Sequence, residues 1–203
     1  MIGILDYGLG NIEAFQVAYK RLNMPAKRIV TPDDYEGVSH IILPGVGAFD
    51  VAMARFHASG LGAGLNAAVS NNLPVMGICV GMQMLADISD EGSAKGLGLV
   101  PGTVRKFEKG THRNRPLRCP HMGWNHVHQT AEFPLLDGVD GAKFYFLHSY
   151  WFEAEDAEDV LATTLYGDSF PCVVGGNNIF GVQFHPEKSH DSGLKLLSNF
   201  GAL

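Results

Sequence analysis

The chain has 203 residues, 46% of them apolar and 18% charged, and its 15 basic and 21 acidic side chains give a formal net charge of −6. This acidic balance argues against a general nucleic-acid coat or a polybasic membrane binder. A chain of this length buries about 70% of its unfolded surface, so we expect a single domain over residues 1–203 that needs no structural metal. Its three cysteines, Cys79, Cys119 and Cys172, are too few and too far apart for a disulfide framework. We therefore expect a cytoplasmic protein, in a compartment that keeps thiols reduced.

The first part of the chain alternates apolar strands with amphipathic helices. Strands are predicted at residues 2–7, 26–31, 40–43 and 74–79, and helices at residues 12–22, about 49–70 and about 80–88. This alternation is typical of a parallel sheet covered by helices on both faces. Residues 56–86 contain no Lys, Arg, Asp or Glu, but five glycines and Pro74 divide them into short elements, which argues against a membrane span.

The second part changes character after Gly92. Short β-type runs separated by turns are predicted at residues 103–107, 124–128, 143–151, 160–166, 172–175 and 179–184, followed by a helix near residues 191–200. We expect these strands to extend the sheet. The predicted fold is therefore α/β, with a central mostly parallel sheet flanked by helices and extended by antiparallel strands in the second half.

The strongest chemical signal is the sequence G-I-C-V-G at residues 77–81, between a predicted strand and a predicted helix. Glycines flank a nucleophile at such a sharp strand-to-helix turn because larger neighbours would collide. The thiol of Cys79 would then lie at a helix N-terminus, which favours thiolate over thiol. A buried structural cysteine is the plain alternative.

A cysteine nucleophile needs a base, and the base needs a group that orients it. His185 and Glu187 are two residues apart in a segment predicted to be extended, so both side chains can face one site. Glu187 would hold the imidazole in the tautomer that accepts the proton of Cys79. An exposed His–Glu pair at a strand end is the alternative.

A third segment, residues 43–47, follows a predicted parallel strand and has the sequence L-P-G-V-G. Ligands of open α/β sheets bind beyond such strand ends. Gly45 and Gly47 would let the backbone present N–H groups to a developing oxyanion, beside the N–H of Val80. On spacing alone, an ordinary turn between strand and helix explains the segment equally well.

With these three segments in this order, the chain resembles the class I, or triad, glutamine amidotransferases. The likeness extends over almost the whole chain, and it is carried by residues 4–11, 43–49, 77–85, 120–125, 145–150 and 179–189. The family's cysteine–histidine–glutamate order carries over to Cys79, His185 and Glu187. The resemblance implies hydrolysis of glutamine to glutamate and ammonia, with no cofactor and no metal.

Within the family, the chain is most similar to the glutaminase subunits that serve imidazole glycerol phosphate synthase in histidine biosynthesis. The implied partner is a cyclase subunit of (β/α)₈ fold in a heterodimer. It receives ammonia through a channel and forms imidazole glycerol phosphate and aminoimidazole carboxamide ribotide. Binding roles implied for substrate fall on Gly45, Val46, Gly47, Val80, Gln83, His148, Ser149 and Tyr150. Residues placed at or near the docking face are Asn11, Met122, Trp124 and Lys188.

A paralogous glutaminase that supplies ammonia for amino-sugar formation in surface polysaccharides is the main alternative. A basic segment and the run Y-W-F at residues 150–152 keep it open. The cations of the segment could contact a different partner or could form a solvated loop. These cations are Arg105, Lys106, Lys109, Arg113, Arg115 and Arg118. A cysteine peptidase or stress-type hydrolase would not require Gln83, and a non-enzymatic scaffold would not require a complete triad, so both are weaker alternatives.

Three histidines, His121, His126 and His128, lie close together in the sequence. His126 and His128 alternate on a predicted strand, with no cysteine or carboxylate at ligand spacing beside them, so we expect no zinc site there.

Overall fold

A computed structural model describes residues 1–107, 111–112 and 115–203. The helices, in chain order, are α1 (Ile12–Arg21), α2 (Phe49–Ser59), α3 (Gly62–Ser70), α4 (Val80–Gln83) and α5 (His190–Phe200). The strands are β1 (Ile2–Leu5), β2 (Ala26–Ile29), β3 (His40–Gly45), β4 (Val75–Cys79), β5 (Ile88–Ser89), β6 (Gly102–Lys106), β7 (Thr111–His112), β8 (Arg115–Pro116), β9 (His121–His126), β10 (His128–Gln129), β11 (Lys143–His148), β12 (Tyr150–Ala154), β13 (Val160–Tyr166), β14 (Asp168–Gly176) and β15 (Ile179–Val182). No helix among these described residues is long and apolar enough to cross a membrane.

An eight-stranded sheet in the order β10-β13-β14-β15-β4-β3-β1-β2 forms the centre of the molecule. The five strands from β15 to β2 run parallel, and β14, β13 and β10 continue the sheet in antiparallel fashion. Every residue of β1, β4 and β15 is buried, as expected for strands covered by helices on both faces. The predicted α/β fold is therefore confirmed for the central sheet.

The predicted extension by antiparallel strands is confirmed for β14, β13 and β10, whereas other strands of the second half lie in smaller sheets. Strands β9 and β11 form a two-stranded ribbon, β12, β6 and β5 form a three-stranded sheet, and β7 pairs with β8. The run predicted at residues 143–151 is two strands in two different sheets, because the chain changes direction at Ser149.

The helix predicted from residue 80 to 88 is wrong in length. It ends after one turn, and Ile88 belongs to β5. The carbonyls of Met84, Leu85 and Ala86 cannot continue the helix, because they accept hydrogen bonds from the N–H groups of residues 97–100 at 2.8–3.1 Å. The helix predicted across residues 49–70 is divided at Gly60, whose φ of 75° ends α2 in the left-handed region.

Candidate active site

Cys79 lies at the turn between β4 and α4, with φ 55° and ψ −110°. Side chains other than glycine rarely adopt a positive φ, and such strain is concentrated at functional sites. The flanking glycines are required by packing. A Cβ atom on Gly77 would overlap the carbonyl oxygen of Gly81, and one on Gly81 would overlap the carbonyl oxygen of Leu43. The turn therefore has the geometry of the elbow expected from the sequence.

The structure brings Cys79, His185 and Glu187 together. His185 follows β15, and its Nδ1 lies 2.9 Å from Oε1 of Glu187, with both side chains at most 5% exposed. A carboxylate can only accept, so Nδ1 carries the proton and Nε2 is left for the thiol. Cys79 lines the same cavity as His185 and interacts with the imidazole closely enough to raise its pKa. The predicted nucleophile, base and orienting carboxylate are therefore neighbours.

The charge state of His185 follows from these partners. Burial by itself lowers the pKa of the imidazole, but the hydrogen bonds and charges of Cys79 and Glu187 outweigh it and raise the pKa to about 10. At neutral pH the histidine is therefore protonated. An imidazolium beside a cysteine stabilises the thiolate, which is the nucleophilic form.

Above the elbow lies a cavity of about 300 Å³. This volume lies at the lower end of the range for small-molecule sites. Its lining includes most of the residues to which the resemblance gave a role in catalysis or substrate binding: Val46, Gly47, Cys79, Val80, Gln83, His148, Ser149, Tyr150 and His185. Lys188, expected at the docking face, also lines it, whereas Gly45 does not.

The family is decided by comparison with known proteins. A model of the glutamine amidotransferase class-I family matches residues 5–202. The chain belongs to the class I glutamine amidotransferases. The recognition of this family from sequence is therefore confirmed, and with it the expectation of an enzyme.

Relatives of this amidotransferase share its full length. "Imidazole glycerol phosphate synthase subunit HisH" of Bdellovibrio bacteriovorus is 52% identical over 209 residues, and the match covers 100% of both chains. The protein of the same name from Leptospira borgpetersenii is 46% identical over 205 residues, again across 100% of both chains. Among solved structures, a crystal structure described as a glutamine amidotransferase superimposes with a TM-score of 0.74 at 22% identity, covering 98% of each chain. PurLQS from Thermotoga maritima gives a TM-score of 0.75 at 16% identity, covering 99% of this chain and 97% of the other. These two structures show a shared fold.

Residues 43–47, the segment predicted to bind the oxyanion, are tightly packed at Gly45 and have open space beside Gly47. The hydroxyl of Tyr7 donates to the carbonyl of Pro44 at 2.6 Å. A Cβ atom on Gly45 would meet Val80 and Gly81 at 3.0 Å or less, so this residue is packed directly against the elbow. At Gly47, where φ is 88°, a Cβ atom would have nothing within 4 Å. Any rearrangement of the segment is therefore confined to the residues after Gly45.

Gln83 has partners within the protein. Its Nε2 donates to the carbonyl of Tyr150 at 3.2 Å and to Oε1 of Gln183 at 3.1 Å. These bonds use both amide hydrogens, so only Oε1 of Gln83 can bind a ligand. The amide of Gln183 in turn lies 3.9 Å from the sulfur of Cys79.

Glu91, Leu147 and Gln183 are among the residues at the site to which the sequence analysis gave no role. Glu91 lines the cavity, and its Oε2 accepts from the N–H of Phe49 at 2.8 Å. The carbonyl oxygen of Leu147 lies 3.8 Å from the sulfur of Cys79. Gln183 stands two residues before His185, the predicted base, and this spacing is the one sequence feature that could have indicated a role for Gln183. Nothing local in the sequence marks the other two.

The ribbon of β9 and β11 has one buried and one exposed face. Its register pairs Met122 with Leu147 and Trp124 with Tyr145, and all four side chains are on the outer face. Met122 is 66% exposed, Trp124 47% and Leu147 37%. We call these four residues the ribbon patch. Contiguous exposed apolar patches are typical of interaction surfaces, so the ribbon patch is the candidate docking face.

Two further residues expected at the docking face have contacts of their own. The Nζ atom of Lys188 lies 5.9 Å from the centre of the Tyr145 ring, so the lysine bridges the ribbon patch and the cavity. Asn11 is exposed, and its Oδ1 caps α1 by accepting from the N–H of Ala14 at 3.2 Å.

The remaining candidates from the sequence are the three histidines and the basic segment. In the part of the chain that the structure describes, no group of three or more His, Cys, Asp or Glu is arranged to hold a metal. His126 stacks on His128 and bonds to the Gly141 carbonyl, away from His121. In the basic segment, Arg105 pairs with Glu153 at 2.7 Å and with Asp90 at 3.5 Å. Lys109 and Arg113 lie outside the described residues.

Proposed function

We propose that this chain is the glutaminase subunit of imidazole glycerol phosphate synthase. The grouping of Cys79, His185 and Glu187 at the floor of a cavity carries the proposal of the chemistry. The full-length relatives named for that enzyme, at 46–52% identity, support the pathway. They favour histidine biosynthesis over the amino-sugar alternative.

The proposed reaction has two halves. The sulfur of Cys79 attacks the side-chain carbonyl carbon of glutamine, and His185 gives its proton to the departing nitrogen, which leaves as ammonia. A glutamyl thioester remains. His185, now neutral, takes a proton from water, the resulting hydroxide cleaves the thioester, and glutamate leaves with the sulfur restored. Glu187 keeps the imidazole oriented through both halves.

The cavity offers groups for each part of the substrate. The N–H groups of the Val46–Gly47 segment and of Val80 are proposed to bind the oxyanion. We propose that the carboxylate of Glu91 binds the α-ammonium group of glutamine, and that the backbone of residues 148–150 binds the same amino-acid end of the substrate. Oε1 of Gln83 remains for an N–H donor of the substrate.

The partner is proposed to be a cyclase subunit of (β/α)₈ fold that forms a heterodimer through the ribbon patch, Lys188 and Asn11. Ammonia released into water at neutral pH is protonated and ceases to be a nucleophile. A covered route from Cys79 to the partner avoids this loss. A cytoplasmic location follows from the same pathway assignment.

The experiment uses the chain with its cyclase subunit. Glutamine-dependent synthesis of imidazole glycerol phosphate is expected in the wild-type complex and should be lost on Cys79→Ala, whereas synthesis from ammonium salts should survive. Retention of glutamine-dependent synthesis by the variant would disprove the triad. In parallel, the gene should restore growth of a histidine auxotroph that lacks this subunit. Failure there, with the protein expressed and folded, would favour the amino-sugar partner.

A further inference from the structure

The inner face of the β9–β11 ribbon carries a buried polar chain that the proposed mechanism does not use. His121 and His148 are paired across the ribbon, and both are buried, at 3% and 6% exposure. Their rings are joined by a hydrogen bond of 2.9 Å between Nδ1 of His121 and Nε2 of His148. Buried polar groups are costly unless they are hydrogen-bonded, so the partners at both ends of this pair decide what it does.

The direction of every hydrogen bond in this chain is fixed by its last acceptor. Nδ1 of His148 lies 2.7 Å from the carbonyl of Tyr150, which can only accept, so Nδ1 carries the proton. In a neutral ring, Nε2 of His148 then accepts from Nδ1 of His121. Nε2 of His121 accepts in turn from Nδ2 of Asn125, at 3.4 Å. With both rings neutral, each carries its proton on Nδ1.

The electrostatic environment agrees with this arrangement. Burial lowers the pKa of His121 to about 4. Burial also lowers the pKa of His148 to about 3, although the Tyr150 carbonyl opposes this effect. The ring of His121 is stacked between Phe146 and Tyr166, with centroid distances of 4.8 and 4.0 Å. Neither ring is available as an acid or base at neutral pH.

The chain ends on the wall of the cavity. The Tyr150 carbonyl accepts from His148 and also from Gln83, so both of its lone pairs are used. Residues 147–150 line the cavity, and the carbonyl of Leu147 contacts the thiol of Cys79. Leu147 and His148 end β11 and Tyr150 begins β12, so the segment changes from one sheet to another at Ser149. The bond from His148 to the Tyr150 carbonyl spans this break.

From these contacts we infer that His121 and His148 are positioning residues, which lock the wall formed by residues 147–150 in the shape that binds the amino-acid end of glutamine. The inference rests on the proposed function. Neither histidine touches the reacting atoms. Their effect is on substrate binding, so loss of the His121–His148 bond should raise the KM for glutamine far more than it lowers kcat.

The test compares two reagents that alkylate Cys79 in the complex with the cyclase subunit. Iodoacetamide reports on the thiol alone, whereas a diazoketone analogue of glutamine must also bind through its amino-acid end. The variant His121→Phe keeps the stacked ring and removes both hydrogen bonds. We expect its KI for the analogue to rise about tenfold, the effect of losing about one well-formed hydrogen bond, with the iodoacetamide rate within about twofold of wild type.

A matched control makes the same exchange on the same strand. His126→Phe lies outside the chain of hydrogen bonds and should behave as wild type. A second pair of variants covers the case in which His121→Phe does not fold. His121→Asn keeps an N–H near the position of Nδ1, and His121→Gln places it near Nε2, so binding of the analogue should be stronger in the first than in the second.

The outcomes separate the inference from the function on which it rests. Equal KI values in wild type and His121→Phe, equal slowing of both reagents, or equal binding by the Asn and Gln variants would each overturn the positioning role. A wild-type complex that reacts with iodoacetamide but not with the analogue would overturn the glutaminase proposal, and the positioning role with it.

Discussion

The carbonyl of Leu147 lies 3.8 Å from the sulfur of Cys79, while the side chain of the same residue is exposed on the ribbon patch beside Met122. A single residue thus contacts the nucleophile with its main chain and faces outward with its side chain. A partner bound to the ribbon patch would contact β11 directly, and β11 is the strand that passes beside Cys79. This arrangement links docking to the site through one strand, without any intervening domain.

The ribbon patch should dominate the affinity for the cyclase subunit. Trp124→Ala is expected to weaken the complex by about 2 kcal/mol or more, because large aromatic side chains at the centre of an interface contribute most of its energy. Isothermal titration with the purified cyclase measures this loss. Ile88→Ala is the control, since Ile88 is 52% exposed but lies on β5, in a different sheet. An equal loss in both variants would contradict the assigned surface.

Replacing the orienting carboxylate should change both the rate and the titration of the base. Glu187→Gln is expected to lower kcat for glutamine by about 10²–10⁴, as in other triads that lose this group. The pKa of His185 should also fall from about 10, because Glu187 is one of the two groups that raise it. Steady-state kinetics and histidine NMR test the two effects. An unchanged titration would mean that Glu187 does not act on the imidazole.

The packing at Gly45 should be intolerant of even one methyl group. In Gly45→Ala the new Cβ atom would overlap the backbone at Gly81 and meet Val80, so we expect a loss of about 1–3 kcal/mol in the free energy of unfolding. Gly37→Ala is the comparison, because its Cβ atom would have nothing within 4 Å and only the positive φ of 71° is strained. Urea unfolding of both variants measures the difference. A smaller loss at Gly45 than at Gly37 would refute the steric argument.

The buried imidazole pair should make the fold sensitive to acid. His121 and His148 have pKa values of about 4 and about 3 in the folded protein, below the ordinary 6.5, so the unfolded chain binds more protons. The two neutral rings make their full contribution to the free energy of unfolding above about pH 6.5. As the pH falls from there towards the pKa values of the folded protein, each ring loses up to about 1.4 kcal/mol of this contribution per pH unit. Urea unfolding between pH 7 and 5 should therefore show a shallower loss in His121→Phe.

The control for this titration lies in the same stack. Phe146→Leu removes a neighbour of His121 but no titratable group, so its stability should fall with acid as steeply as that of wild type. If His121→Phe kept the wild-type slope as well, the imidazole would not be the acid-sensitive group.

Local patterns explain what could be predicted from the sequence. The glycines around Cys79 and the two-residue spacing of His185 and Glu187 each describe a short piece of backbone, and parallel strands bring such pieces to one sheet edge. The short α4 could not be foreseen, because carbonyls near its end are taken by the backbone of residues 97–100. Contacts of Leu147 and Glu91 depend in the same way on distant segments. The pairing of His121 with His148 could not be foreseen either, because it depends on the register of β9 against β11, which is set by tertiary contacts.

Gly45 and Gly81 pack against each other at the elbow and leave no space for a Cβ atom. Enzymes usually acquire new substrate preferences by exchanging the side chains that surround a ligand, and these two positions accept no side chain. Attempts to redesign the enzyme for a different amide must therefore work from the residues that line the cavity, including residues 147–150. That is the segment whose shape depends on the two imidazoles, so the pair limits how far selectivity can be altered.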